Sequence, residues 1–278
     1  MKGFTFLILL SLLLCLLGSR AAIIPFLKTR TLDVFTKNNN SQSLKPVVVF
    51  IHGGAWKSGD KFEYQGIGSF LSNNNYVAVI PNYILYPKGG LDDMVDDIYQ
   101  SIVWTYENIS LYGGDKNRII LSGHSAGAHL AALTAIKAAL QLPNNESNLK
   151  PLPKLEKMVL LNGPYDFNDY GNDLGELTPL ITTSQYGSPT QILKGYSDNS
   201  IRELSTTKIN IFAVENDQLV PGSSSPNFIQ QLKRVAPSIE VNYTYNQGNG
   251  YDHTTIMIGI ILLRNSSVQN TFLNLMKQ

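Results

Sequence analysis

Cysteine is nearly missing: the chain holds one, Cys15, and it lies in an apolar leader. A chain without that leader has no disulfide, no reactive thiol and no cysteine-based metal site. The absence says little about compartment, because a core of this size holds without covalent staples. Charge of one sign is missing too. Twenty-two basic residues against 21 acidic ones leave a formal charge of +1, with no block of like charges. That removes the electrostatic case for a nucleic-acid partner. No internal repeat occurs, and the only low-complexity pieces are Asn38-Asn39-Asn40 and Asn73-Asn74-Asn75, which read as loops. Histidine is scarce, with four in 278 residues, so each can be weighed individually. A hydrophobic content of 43% over this length suits one large α/β domain better than two small ones.

The first 21 residues read as a targeting segment. Met1-Lys2 gives a basic start, and Phe4 to Leu17 is almost unbroken apolar sequence. At about 14 residues that run is too short for a membrane span, which needs about 20, and it matches a signal-peptide hydrophobic region. Ser19 and Ala21 place small residues for cleavage after Ala21. The competing reading is an uncleaved anchor, because Ala22, Ile23, Ile24 and Phe26 extend the apolar character beyond Arg20. Either reading sends residues 22–278 into the secretory pathway, secreted or lumenal when the leader is cut and membrane-anchored when it is kept. The mature chain carries no membrane span unless the leader stays. Sequons at Asn39, Asn108, Asn145, Asn242 and Asn265 are compatible with a glycoprotein, but chance supplies about as many.

The centre of the chain is Gly123-His124-Ser125-Ala126-Gly127. The strand-like run Arg118 to Ser122 leads in, and the helix-forming run Ala128 to Leu133 leads out. G-x-S-x-G between a strand and a helix is the nucleophile elbow, where a sharp turn lifts the serine clear of the sheet. Its neighbours must be nearly free of side chain. Ser125 then sits at the positive end of a new helix, which favours an oxyanion nearby. Taken alone, the motif could also be a glycine-rich turn with an incidental serine.

Upstream, the buried-strand run Pro46 to Ile51 delivers His52-Gly53-Gly54-Ala55-Trp56. Consecutive glycines after a strand let backbone amides turn toward one point, as an oxyanion hole requires. Gly53 and Gly54 are the expected donors there, with Ala126, the residue after the nucleophile, as the other. Ala55 stands where a third glycine is usual.

A serine hydroxyl needs a base, and the base needs a third group to fix its tautomer. In this architecture the order is Ser, then Asp or Glu, then His. Of the four histidines, His52 belongs to the donor loop and His124 to the elbow. His129 lies one turn along the following helix, where it packs or caps. Only His253 lies downstream in a loop that follows a strand, the alternating run Ile239 to Tyr245. Asp217, just past the strand Lys208 to Val214, is the expected acid. Glu215 stands too close to the strand, Asp252 adjoins the histidine, and Asp166 is the outside candidate. Asp92, Asp93, Asp96 and Asp97 open a helix beginning at Leu91 and read as helix-start and solvated-face residues rather than a metal cluster.

Strands alternating with helices imply a mostly parallel, doubly wound sheet. Residues 163–201 are polar and irregular, and an insertion there would lie over the strands' carboxyl ends as a lid. A final helix is expected over 254–277.

The donor-loop and elbow segments resemble the α/β-hydrolase superfamily in its carboxylesterase branch. The segments Tyr86-Pro87-Lys88-Gly89, Asp93-Met94-Val95-Asp96-Asp97 and Tyr112 to Arg118 look like those of prenylcysteine methylesterase-like hydrolases. The resemblance is densest over 46–135. It implies an α/β-hydrolase fold, the triad Ser125, Asp217 and His253, and oxyanion donors Gly53, Gly54 and Ala126. It also implies a small-molecule ester as substrate, cleaved through an acyl-enzyme with no metal or organic cofactor. Kynurenine formamidases and secreted polysaccharide esterases share much of the pattern, and amide hydrolysis by the same machinery is the alternative. A non-catalytic binding module on a hydrolase scaffold is the rival from another class.

Overall fold

The computed structural model describes residues 20–27, 30–37, 43–170, 177, 180, 186–248 and 250–278. The leader run Phe4 to Leu17, the sequon at Asn39 and parts of 163–201 lie outside the described residues. Eight strands form one sheet: β1 (Arg20–Leu27), β2 (Arg30–Thr36), β3 (Lys45–Ile51), β4 (Val77–Pro81), β5 (Gly114–His124), β6 (Lys157–Leu161), β7 (Lys208–Val214) and β8 (Glu240–Asn246). Their spatial order is β1-β2-β4-β3-β5-β6-β7-β8. β2 runs antiparallel to both neighbours, and all pairs from β4 across to β8 are parallel. This is the α/β-hydrolase fold expected from the sequence.

The central strands are apolar throughout because both faces are covered. Val47, Val49, Ile51, Leu121 and Leu160 face one core. That side carries α2 (Leu91–Asn108), α3 (Ala126–Ala139) and α5 (Ser224–Val235). Val48, Phe50, Ile120, Val159 and Phe212 face the other. It is closed by α1 (Gln65–Asn73), α6 (Thr255–Ile261) and α7 (Ser266–Lys277). A short helix, α4 (Pro189–Lys194), packs on α5. α3 is buried from Ala126 through Ala138, so its sequence is apolar on every side rather than striped.

Register places the chemistry. Ile51 pairs with Gly123, His124 with Leu161, and Leu161 with Phe212. The carboxyl ends of β3, β5, β6 and β7 therefore finish in line, and the loops leaving them meet at one edge, as in other open α/β sheets. Gly127 is required by that closeness. A Cβ on it would lie 2.2 Å from the Ile51 carbonyl oxygen.

Two elements depart from the sequence reading. β1 was not expected as a strand. It begins at Arg20, so the expected cleavage point after Ala21 falls inside it. The final helix is two helices: α6 ends at Ile261, and Asn265 starts α7 by accepting the Ser267 and Val268 amides. Among the described residues no helix is long and apolar enough to cross a membrane.

Candidate active site

Ser125 sits between β5 and α3 with φ 55° and ψ −125°, a conformation that few non-glycine residues adopt. Its N–H donates to the Leu161 carbonyl at 2.9 Å, and its carbonyl accepts the His129 amide at 3.1 Å. The turn is thus fixed from the neighbouring strand on one side and from its own helix on the other.

Asp217 and His253 are brought together. His253 Nδ1 donates to Asp217 Oδ2 at 2.7 Å, and both side chains are almost fully buried. The other oxygen, Oδ1, accepts the Leu219 and Val220 amides, each at 2.9 Å. All these donors fix the carboxylate, and the shared proton leaves His253 Nε2 with its lone pair. Asn216 bridges to Asp252, which joins the two loops through their backbones.

The His253 loop is also fastened to the elbow. His124 Nε2 donates to the His253 carbonyl at 2.7 Å, and Asn162 Nδ2 donates to the same oxygen at 3.0 Å. The rings of His124 and His253 lie 4.8 Å apart. Among the described residues no hydrogen bond joins the Ser125 hydroxyl to His253, whose bonded ring nitrogen is the Nδ1 that meets Asp217. Asn162 escaped the sequence reading. It sits one residue past β6, a position that signals nothing until the fold shows what lies above it.

The donor loop differs in detail from expectation. Gly53 was expected to offer its amide to an oxyanion, but that N–H donates to the Tyr64 hydroxyl at 3.3 Å. Gly54, Ala55 and Trp56 follow at φ 124°, 50° and 58°, three left-handed residues in a row. The turn closes with the Lys57 and Ser58 amides donating to the Gly54 carbonyl. Gly54 has no alternative residue, since a Cβ there would lie 2.0 Å from the Ser58 oxygen. Among the described residues, the amides of Gly54, Ala55 and Ala126 meet no protein acceptor. Ala55, not Gly53, lines the cavity with Ser125.

That cavity measures about 430 Å³. Trp56, Tyr170, Leu177, Leu219 and Val220 give it an apolar wall, and no lysine or arginine is among its described lining residues. Pro164, Tyr170 and Leu177 come from the segment 163–201. Desolvation holds the Tyr170 phenol well above its ordinary value, with the Asp217 charge adding to it.

The remaining candidates are engaged elsewhere. Asp166 accepts from Asn227 at 2.9 Å, Glu215 accepts the Gly248 amide, and Asp252 caps Thr254 and Thr255. Asp92 pairs with Lys137, Asp93 accepts the Gly90 amide, and Asp97 pairs with Arg30. Burial pushes the imidazoles of His52, His124 and His129 down to about 4, so all three are neutral near pH 7. His52 stacks on Tyr83 at 4.4 Å and turns its Nδ1 to the Gly53 carbonyl.

Fold and site together define an α/β-hydrolase that presents a serine on a strand-to-helix elbow. Within that class the chain belongs to the BD-FAE family, whose model matches residues 32–232. It is 31% identical over 220 residues to isoprenylcysteine alpha-carbonyl methylesterase ICME of Arabidopsis thaliana, covering 76% of this chain and 51% of that protein. It is 26% identical over 231 residues to the kynurenine formamidase of Danio rerio, covering 81% of this chain and 71% of that one. The chain spans about half the length of the methylesterase relatives it matches. Among solved structures, esterase B of Lactobacillus rhamnosis superposes with a TM-score of 0.72 at 18% identity, covering 94% of this chain and 86% of that one. At that identity the match establishes the shared fold.

Proposed function

We propose that this chain is a serine carboxylesterase that works through an acyl-enzyme. The observation that carries the reading is the buried Asp217–His253 pair at 2.7 Å, fastened by its backbone to the turn that bears Ser125. Ser125 Oγ attacks the ester carbonyl and passes its proton to His253 Nε2. Asp217 holds the imidazole in the required tautomer and stabilises its cation. The amides of Gly54, Ala55 and Ala126 take the oxyanion, each donor contributing about 3 kcal/mol. As the carbonyl reforms, the C–O bond breaks and the alcohol leaves with the proton from His253. Water then repeats the sequence on the acyl-serine and restores the enzyme.

The apolar cavity favours a neutral ester with an apolar acyl or alkyl part, and the methylesterase relatives fit that chemistry. The formamidase relative supports formamide hydrolysis as the second reading. N-formylkynurenine carries an amino-acid carboxylate, and the described wall residues include no cation to pair with it. Purified protein should therefore show kcat/KM for p-nitrophenyl butyrate at least about 10²-fold above that for N-formylkynurenine, since burying an unpaired charge costs several kcal/mol. The reverse ranking supports the formamidase reading instead.

We also propose that the chain enters the secretory pathway as a glycoprotein. The leader composition supports this, and the sequon residues Asn145 and Asn265 are exposed. Mass spectrometry of protein collected from the medium of a eukaryotic host should give a chain beginning at Ala22 with glycan mass at one of those asparagines. A cell-retained, unglycosylated chain beginning at Met1 contradicts it.

A further inference from the structure

His129 is fully buried, lies outside the triad and makes two directed hydrogen bonds to two different loops. The Trp56 indole donates to its Nδ1 at 3.1 Å, and its Nε2 faces the Gly187 carbonyl at 2.8 Å. An indole can only donate and a carbonyl can only accept. The ring is therefore the neutral tautomer with its proton on Nε2, and both nitrogens are used. The rings also pack edge to face: Trp56 and His129 stand at 88° with centroids 5.3 Å apart, and Phe167 closes the third side at 5.3 Å from His129.

Trp56 is the last of the three left-handed residues in the donor loop. Such a run, with two non-glycine members, persists only where its surroundings over-determine it. Trp56 is held at both ends. Its carbonyl accepts the Tyr86 amide at 2.9 Å, and its indole is held by His129. His129 in turn lies one helical turn past Ser125, and its amide donates to the Ser125 carbonyl. The turn that carries the serine thus also carries the anchor of the loop opposite it. Gly187, at the other nitrogen, directly precedes Ser188, whose hydroxyl caps α4.

Building on the esterase reading, we propose that His129 is a positioning residue for the oxyanion donors. Through Trp56 it sets the amides of Gly54 and Ala55 in register with Ser125, and through Gly187 it ties the covering segment to the same helical turn. It touches no substrate and moves no proton.

The test uses the full chain, p-nitrophenyl butyrate, three single variants and one double variant, all confirmed as folded by circular dichroism. His129→Leu should lower kcat about 30-fold or more with KM changed less than about threefold, since oxyanion donors act on the transition state rather than on ground-state binding. His129→Gln offers one acceptor and one donor and should recover most of that loss. Trp56→Phe keeps a ring but loses the N–H, and should lower kcat about tenfold. Combined with His129→Leu it should add almost nothing, because the two residues act as one unit. A folded His129→Leu with wild-type kcat, a loss confined to KM, no recovery in His129→Gln, or additive losses in the double variant would each overturn the proposal. Should His129→Leu fail to fold, Trp56→Phe decides alone, and an unchanged kcat there overturns it. A wild-type chain that cleaves no ester refutes the esterase reading itself, which separates the two failures.

Discussion

Ser125→Ala lowers ester hydrolysis by about 10⁶-fold in kcat, leaving only what binding and the oxyanion donors supply. The variant should fold as the wild type does. Ser125 is held by its backbone, through the Leu161 carbonyl and the His129 amide, and no hydrogen bond of its hydroxyl contributes to the fold. The positive φ at 55° is as demanding for alanine as for serine, so the elbow geometry carries over. Loss of activity with an unchanged melting temperature therefore reports the missing nucleophile and not a damaged scaffold. Comparing p-nitrophenyl butyrate turnover of the two proteins side by side measures it. Residual activity above about one per cent would mean that another group attacks the carbonyl, since triad losses run to several orders of magnitude.

Asp217→Asn is the second large effect, expected at about 10⁴-fold in kcat. The geometry gives the reason. Asp217 Oδ2 accepts the His253 Nδ1 proton, and Oδ1 is already taken by the Leu219 and Val220 amides. An asparagine keeps its oxygen where those two amides are and turns its NH₂ toward the imidazole. Nδ1 must then accept, the ring proton moves to Nε2, and the nitrogen facing the serine can no longer take a proton. Substrate binding is untouched, so KM should change little while kcat collapses. If the variant retains wild-type kcat, Asp217 is not the orienting acid. Asp166 is poorly placed to replace it, being bound to Asn227 on α5.

The parts legible in the sequence are those written in local pattern. Apolar runs marked β3, β5 and β7, and the glycines around Ser125 marked the elbow, because a strand-to-helix turn this tight leaves no room for side chains. Asp217 and His253 were legible through order along the chain: each follows a strand, and the strands' carboxyl ends gather at one edge. The parts that escaped depend on neighbours far away in sequence. Nothing around Gly53 shows that Tyr64 takes its amide. Asn162 carries no local signal, and its part shows only once the His253 carbonyl is seen above it. β1 was hidden because Ala22 to Phe26 continues the leader's apolar character, and only pairing with β2 makes it a strand. The sequence marked Asn265 only as a sequon, and its further part, an Oδ1 that caps α7 and divides the final helical run, shows only in the fold.

Ester cleavage as proposed requires Ser125 to be the activated nucleophile of the Asp217–His253 pair. Peptide mapping after treatment with a fluorophosphonate tests that most directly, in the wild type beside Ser125→Ala and Asp217→Asn. One phosphonylated peptide is expected, modified at Ser125, strongly slowed in Asp217→Asn and missing in Ser125→Ala. Label on a different residue, or equal labelling in Ser125→Ala, would contradict it.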